Sequence, residues 1–214
     1  MKIEYYNNQF YRSNALEQSN PSVKNFFEKT FVSFWIELSH LQDVIYQDKP
    51  ELVFNNIERS WLGIFDNAVR RAYPDDAATL QEFSVALGDK CYGRSDYFVR
   101  LKKESMDLLF EAKHYEDLGG NNYAGMNDWY SQILKKADGY YQSELSSYKY
   151  HDNTYLIALI FGWIRKEQVL KVAMAEMERL FAGNTPKDNA DFAALFSGSG
   201  QGYGFMEKLG KQKG

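Results

Sequence analysis

Two carboxylates and one amine in the middle of the chain have a spacing that suits metal-assisted chemistry. Asp96 begins one run of alternating apolar and polar residues, and Glu111 and Lys113 lie in the next such run. If the two runs pair as a β-hairpin, alternate side chains share a face, and these three residues then lie together. Two carboxylates on adjacent strands can bind a hard cation such as Mg²⁺. A nearby ammonium can orient an attacking water or stabilise charge in a transition state. The pattern therefore indicates metal-dependent hydrolysis of phosphodiester bonds.

The hairpin itself is predicted from two alternating runs, residues 96–103 and 107–115, joined by the polar pair Glu104-Ser105. A two-residue link places Lys103 opposite Met106 and therefore Asp96 opposite Lys113. The predicted polar face contains Asp96, Arg100, Lys102, Asp107, Glu111 and Lys113. The predicted core face is uniformly apolar and contains Tyr97, Val99, Leu101, Leu108, Phe110 and Ala112.

The order of these residues resembles a known nuclease family. G-R-S-D at 93–96, a hydrophobic strand, a turn, a second hydrophobic strand and E-A-K at 111–113 are similar to the PD-(D/E)xK (restriction-endonuclease-like) superfamily. Glycine three residues before the aspartate is typical of its RecB-like exonuclease branch. The chain departs from the pattern in two places: serine, not proline, precedes Asp96, and Gln132 is followed four residues later by Lys136 where that branch has tyrosine.

The resemblance implies a Mg²⁺-dependent nuclease, with Mn²⁺ as an alternative cation. Asp96 and Glu111 would be metal ligands, Lys113 would be the catalytic lysine, and the backbone carbonyl of Ala112 would join the metal shell. The family also often adds a glutamate from the helix before the sheet. Glu58 is the candidate here, although an ordinary solvated helix glutamate is the favoured interpretation, and Glu82 is a weaker rival.

The fold implied is an α/β domain with a restriction-endonuclease-like core over about residues 50–180: helix, three-stranded meander, helix, strand. Apolar spacings of three and four predict a helix over 22–47, an extra N-terminal element, and a second helix over about 50–72. The first strand would be residues 83–87, which also fit the end of a short helix. Further predicted elements are a helix over 127–148, a strand over 154–164 and a helix over about 169–180. We expect one domain over 1–183, irregular before Pro21, and a flexible tail over 184–214.

Several basic residues are candidates for contact with nucleic acid, and the alternative for each is an ordinary solvated surface charge. They are Arg94, Arg100, Lys102, Lys103, Lys135 and Lys136. The whole chain is acidic, with a net charge of −4, whereas proteins that grip many phosphates usually have a basic surface. Any nucleic-acid contact must therefore come from local clusters.

These observations predict a nuclease that acts on nucleic acid, with DNA as the expected substrate. Two alternatives stay open: an inactive protein of the same fold that binds or assembles, and a helix-rich interaction protein whose E-A-K triplet is accidental. The lone Cys91 and the lack of a signal-peptide pattern predict a cytoplasmic protein. The longest apolar run, residues 154–164, is too short to cross a membrane as a helix. Both a monomer and a homodimer fit the sequence.

Overall fold

The described part of the chain forms a mixed β-sheet with two helices. A computed structural model describes residues 9–12, 21–44, 58–87, 90–115, 153–164, 192–198 and 201–209. The elements in chain order are β1 (Gln9–Arg12), α1 (Pro21–Val44), α2 (Glu58–Ala72), β2 (Ala77–Leu87), β3 (Lys90–Leu101), β4 (Met106–Tyr115), β5 (Asn153–Ile164), β6 (Phe192–Gly198) and β7 (Gln201–Leu209). These strands form one sheet in the order β1-β6-β7-β5-β4-β3-β2. The predicted α/β class is confirmed at this level.

Both predicted N-terminal helices are present where the structure describes them. Helix α1 begins at Pro21, a residue favoured in the first turn of a helix, and its stripe of aromatic and aliphatic residues is buried from Val23 to Leu38. Helix α2 buries Trp61 and Phe65 on one face. The two helices share an aromatic core, in which the rings of Phe34 and Trp61 stack with centroids 6.1 Å apart. Residues 50–57, included in the predicted second helix, lie outside the described residues.

The helices cover one face of the sheet, which we call the helix face. Phe110 of β4 meets Phe65 of α2 edge-on, with ring centroids 5.6 Å apart. Alternate residues of the central strands complete this core, as the predicted apolar face required: Tyr97, Val99, Leu101, Leu108, Phe110, Ala112, Tyr155, Ile157, Leu159 and Phe161. The opposite side of the sheet, the second face, holds Asp96, Asp107 and Glu111. The predicted apolar face of the hairpin is therefore confirmed. The second face is not uniformly polar, because Phe98 and Leu109 are also buried there, and Lys102 lies in the turn and not on this face.

Strands β2, β3 and β4 form the predicted antiparallel meander, but the hairpin turn differs from the prediction. Leu101 pairs with Met106, so the turn has four residues rather than two, and Tyr97 pairs with Phe110. The predicted pairing of Lys103 with Met106 was wrong. The longer turn has a physical cause: the carboxylate of Asp76 accepts the Lys103 N–H at 2.8 Å. Ser105 also adopts a left-handed φ of 47°, which lets the chain reverse within the turn.

Strand β5 confirms the predicted strand over 154–164 and pairs with β4 in parallel, Met106 beside Asn153. A parallel pair needs a long crossover connection, and residues 116–152 link the two strands. The predicted helices over 127–148 and 169–180 lie outside the described residues.

The C-terminal segment differs from the prediction of a flexible tail from residue 184. Residues 192–198 and 201–209 are strands, with β6 paired to β7 and β7 paired antiparallel to β5. Gly202 and Gly204 lie opposite Ile164 and Gly162, so the glycines that indicated a tail sit inside a ladder. Residues 9–12, predicted to be irregular, form a short strand beside β6.

Among the helices that the structure describes, none is long and apolar enough to span a membrane.

Candidate metal centre

The predicted site lies where two neighbouring strands part. The last pair between β3 and β4 is Tyr97 with Phe110. Beyond this pair β3 stays beside β2 down to Lys90, while β4 stays beside β5 up to Tyr115. From this point on, β3 pairs with β2 and β4 pairs with β5, and the two strands no longer pair with each other. We call this opening, with Asp96 on one side and Glu111, Ala112 and Lys113 on the other, the strand fork.

The observed register changes the relation among the three predicted residues. If the pairing of Tyr97 with Phe110 is continued by one step, Asp96 comes opposite Glu111 rather than Lys113. The faces survive this correction, because a shift of two residues leaves every side chain on its own side of the sheet. On this continued register the two carboxylates would lie on adjacent strands of the second face, with Lys113 one alternate position farther into the fork.

Asp96 has a defined contact across the fork. Its Oδ2 accepts the backbone N–H of Ala112 at 2.7 Å. This N–H points toward β3 at a level where the β3–β4 ladder has ended, so the carboxylate takes the place of a ladder carbonyl. Asp96 remains partly accessible to solvent, which leaves it able to meet a ligand.

Glu111 and Lys113 differ in their exposure. Glu111 is only 5% exposed, and its Oε1 is shielded from solvent. A carboxylate in such surroundings needs positive charge or hydrogen-bond donors nearby to remain ionised. Lys113, two residues along the same strand and on the same face, is partly exposed.

Ser95, which stands where the superfamily pattern has proline, fastens the strand just before Asp96. Ser95 lies on the helix face and is 1% exposed. The Oγ donates to the carbonyl oxygen of Phe110 at 2.8 Å and lies 3.1 Å from that of Tyr97. Sequence reasoning treated this residue only as a departure from a motif. The signal that could have identified it is a small polar residue at a position whose alternation demands burial.

The two candidate glutamates outside the hairpin have different positions. Glu82 of β2 has a left-handed φ of 49° and forms an ion pair with Arg59 of α2, which draws its carboxylate toward the helix. Glu58 is the first residue of α2, and its side chain is outside what the structure describes.

The structure brings few of the predicted basic residues to the fork. Lys102 and Lys103 are exposed in the turn at the opposite end of the hairpin. Arg100 engages the buried carboxylate of Asp107 through two hydrogen bonds of 2.7 and 2.8 Å. Arg94 lies in β3 close to the fork, without a described side chain. Lys135 and Lys136 fall outside the described residues.

The donor set at the fork suits a cation that keeps part of its water. Within the described ranges, no group of three or more His, Cys, Asp or Glu side chains is placed to hold a metal. The candidate donors are the carboxylates of Asp96 and Glu111 and the carbonyl of Ala112, which lies on the same strand edge as the Ala112 N–H, since the N–H and C=O of a strand residue point to one side. Mg²⁺ is commonly bound by one or two carboxylates with several waters retained.

Comparisons with known proteins add no relative to this picture. No family model matches the chain, and neither the curated proteins nor the solved structures contain a match.

Proposed function

We propose that the chain is a metal-dependent nuclease that hydrolyses phosphodiester bonds at the strand fork, with a restriction-endonuclease-like core. The observation that supports the proposal is the Asp96 carboxylate held against the Ala112 N–H at the fork, with Glu111 and Lys113 on either side of Ala112 in β4. The order of α2, the meander and the parallel strand β5 supports the same core. DNA is the substrate class we expect.

In this proposal Asp96 and Glu111, with the carbonyl of Ala112, would hold Mg²⁺ or Mn²⁺. When bound, the cation would polarise a phosphoryl oxygen and increase the acidity of an attacking water. Lys113 would hold that water in line with the phosphorus, or donate to the oxygen on which negative charge develops. The amide of Ala112 would keep the Asp96 carboxylate oriented throughout.

The helix-rich alternative loses its main support, because residues 96–101 and 106–115 are strands and not helix. A protein of this fold that binds without hydrolysis is a second candidate, and the net charge of −4 favours it, since an acidic protein attracts phosphates weakly.

The test is to incubate the full chain with linear and circular DNA, and with single-stranded RNA, in the presence of Mg²⁺ or Mn²⁺ and with EDTA as a blank. We expect cleavage that EDTA abolishes and that falls about 100-fold or more in Asp96→Ala and in Lys113→Ala. The matched controls Asp75→Ala and Lys29→Ala change exposed residues away from the fork and should cleave normally.

Each outcome separates the candidates. Cleavage that persists in Asp96→Ala and Lys113→Ala would remove the site assignment. A wild-type chain that never cuts DNA or RNA under these conditions would favour the protein that binds without hydrolysis. Circular DNA cut as readily as linear DNA would indicate endonucleolytic cleavage.

A further inference from the structure

We propose that Ser95 is a positioning residue that orients the Asp96 carboxylate for cation binding, an inference that rests on the proposed function. After the pair of Tyr97 and Phe110, no backbone pairing between β3 and β4 holds the next residues of β3 in place. Side chains provide this connection instead.

Ser95 connects β3 to β4 on the helix face. Its hydroxyl is almost completely buried and bonds to the carbonyl oxygen of Phe110 at 2.8 Å, across the strand gap. A buried hydroxyl bonded to a buried carbonyl satisfies both groups, so the two strands are held at a fixed separation immediately beside Asp96.

Asp96 connects β3 to β4 on the second face. Its Oδ2 accepts a hydrogen bond from the Ala112 N–H at 2.7 Å. Ala112 lies two residues beyond Phe110, whose carbonyl oxygen accepts from Ser95. Consecutive strand residues point to opposite faces. Ser95 therefore contacts β4 from the helix face and Asp96 contacts it from the second face. If the Ser95 bond is lost, β3 can move away from β4, and the Asp96 carboxylate loses its fixed distance from Ala112.

Tyr97 anchors the other side of Asp96. Its hydroxyl donates to Oδ1 of Asp66 in α2 at 2.9 Å, and Arg70 donates to the second oxygen of that carboxylate at 3.0 Å. Both neighbours of Asp96 are thus tied to other elements. A ligand side chain held in this way loses little conformational freedom when it binds a cation.

The first arm of the test needs no metal. Urea unfolding is measured for Ser95→Ala, Asp96→Ala and the double variant, all as full-length protein without divalent cations. If Ser95 acts through Asp96, the double variant should lose less of the urea midpoint than the two single losses added together. Ser39→Ala is the matched control. Ser39 is also buried and donates to a backbone carbonyl at 2.8 Å, within α1, so its loss should simply add to that of Asp96→Ala.

The second arm measures Mn²⁺ binding by calorimetry. Ser95→Ala should bind Mn²⁺ about tenfold more weakly than the wild type, as expected when a residue that orients a ligand is removed. Ser39→Ala should bind as the wild type does. Ser95→Cys fills the same space with a weak donor, and it replaces Ser95→Ala in both arms if that variant does not fold.

The two arms separate the positioning role from the function. Additive losses in the first arm, or Mn²⁺ affinity in Ser95→Ala equal to that of Ser39→Ala, would overturn the role of Ser95. A wild-type chain that binds no Mn²⁺, while Ser95 and Asp96 remain coupled in urea, would instead contradict the proposed metal site. Coupling together with weakened Mn²⁺ binding supports both.

Discussion

The two ends of the β3–β4 hairpin are each secured by an aspartate that accepts a backbone N–H, yet the two aspartates have different surroundings. At the turn, Asp76 is buried and receives the N–H of Lys103. At the fork, Asp96 receives the N–H of Ala112 but stays partly exposed. The same hydrogen bond therefore closes the sheet at one end, while at the other it leaves the carboxylate accessible to a ligand.

The neighbours of the two aspartates reinforce this contrast. Next to the turn, the second face carries Asp107 engaged by Arg100, so its charge is matched within the chain. Next to the fork, the second face carries Glu111 and then Lys113. We infer that the turn end stabilises the hairpin, whereas the accessible Asp96 makes the fork end suited to binding.

The largest effect should come from breaking the ion pair at the turn end. The Asp107 side chain is fully buried and that of Arg100 is about one-third exposed (34%). Asp107→Ala leaves the guanidinium without its carboxylate in partly desolvated surroundings, so we expect a loss of about 3 kcal/mol in the free energy of unfolding. Urea denaturation measures it.

The control for Asp107→Ala is a substitution at the other end of the hairpin. Asp96→Ala, at the fork, should cost only about 1 kcal/mol, because water can replace the lost acceptor at a partly exposed site. The double change Arg100→Met with Asp107→Leu should recover most of the stability lost in Asp107→Ala. If Asp96→Ala proved more destabilising than Asp107→Ala, the division between the two ends would be wrong.

A smaller effect is expected from Asp76→Ala, which removes the acceptor for the Lys103 N–H. The cost should be about 1–2 kcal/mol, because a buried carboxylate is lost but the turn stays near solvent. Amide hydrogen exchange at Lys103 and Ser105 should quicken while exchange at Ala112 stays as it was. Asp76→Asn retains an acceptor oxygen and should lie between Asp76→Ala and the wild type. Faster exchange at Ala112 in Asp76→Ala would show that the two ends are coupled and not separate.

The same hairpin shows which features a sequence can predict. Alternation predicted the apolar face correctly, because the side-chain period of a strand depends only on local spacing. The turn length was predicted wrongly, because the deciding contact comes from Asp76, which lies 27 positions from Lys103 and belongs to another element. The wrong turn length shifted the strand register by two residues, and a shift by an even number leaves each side chain on its predicted face.

The C-terminal strands and Ser95 are two further cases in which a long-range contact decides the structure. Strand β7 contains Gly202 and Gly204, which weaken the local preference for strand. Its strand conformation depends on pairing with neighbouring strands such as β5. Ser95 is inconspicuous in sequence, because its importance arises from a carbonyl 15 positions away. Long-range contacts of this kind cannot be inferred from local residue patterns.

The smallest effect concerns alkaline pH and compares a tyrosine near each end. Burial, followed by the negative charge of Asp66, raises the pKa of Tyr97 far above its ordinary value of 10.0. Burial, followed by Glu104 and Asp76, raises the pKa of Tyr73 as well. The folded chain thus keeps protons that the unfolded chain releases above about pH 10. These two groups contribute stability that is fully present below pH 10 and is lost as the pH rises beyond it.

Tyr97→Phe should therefore flatten the decline in unfolding free energy between about pH 9.5 and 11, although it lowers stability at pH 7 by about 1 kcal/mol through loss of the bond to Asp66. Tyr73→Phe is the matched control at the turn end. Tyr73 is slightly more exposed than Tyr97 and its hydroxyl makes only a long bond of 3.4 Å to the Asn25 carbonyl, so its removal should change both quantities less. Urea titrations at a series of pH values measure both. A slope for Tyr97→Phe equal to that of the wild type would show that Tyr97 ionises in the folded chain, and its bond to α2 would then not be the anchor beside Asp96 that we describe.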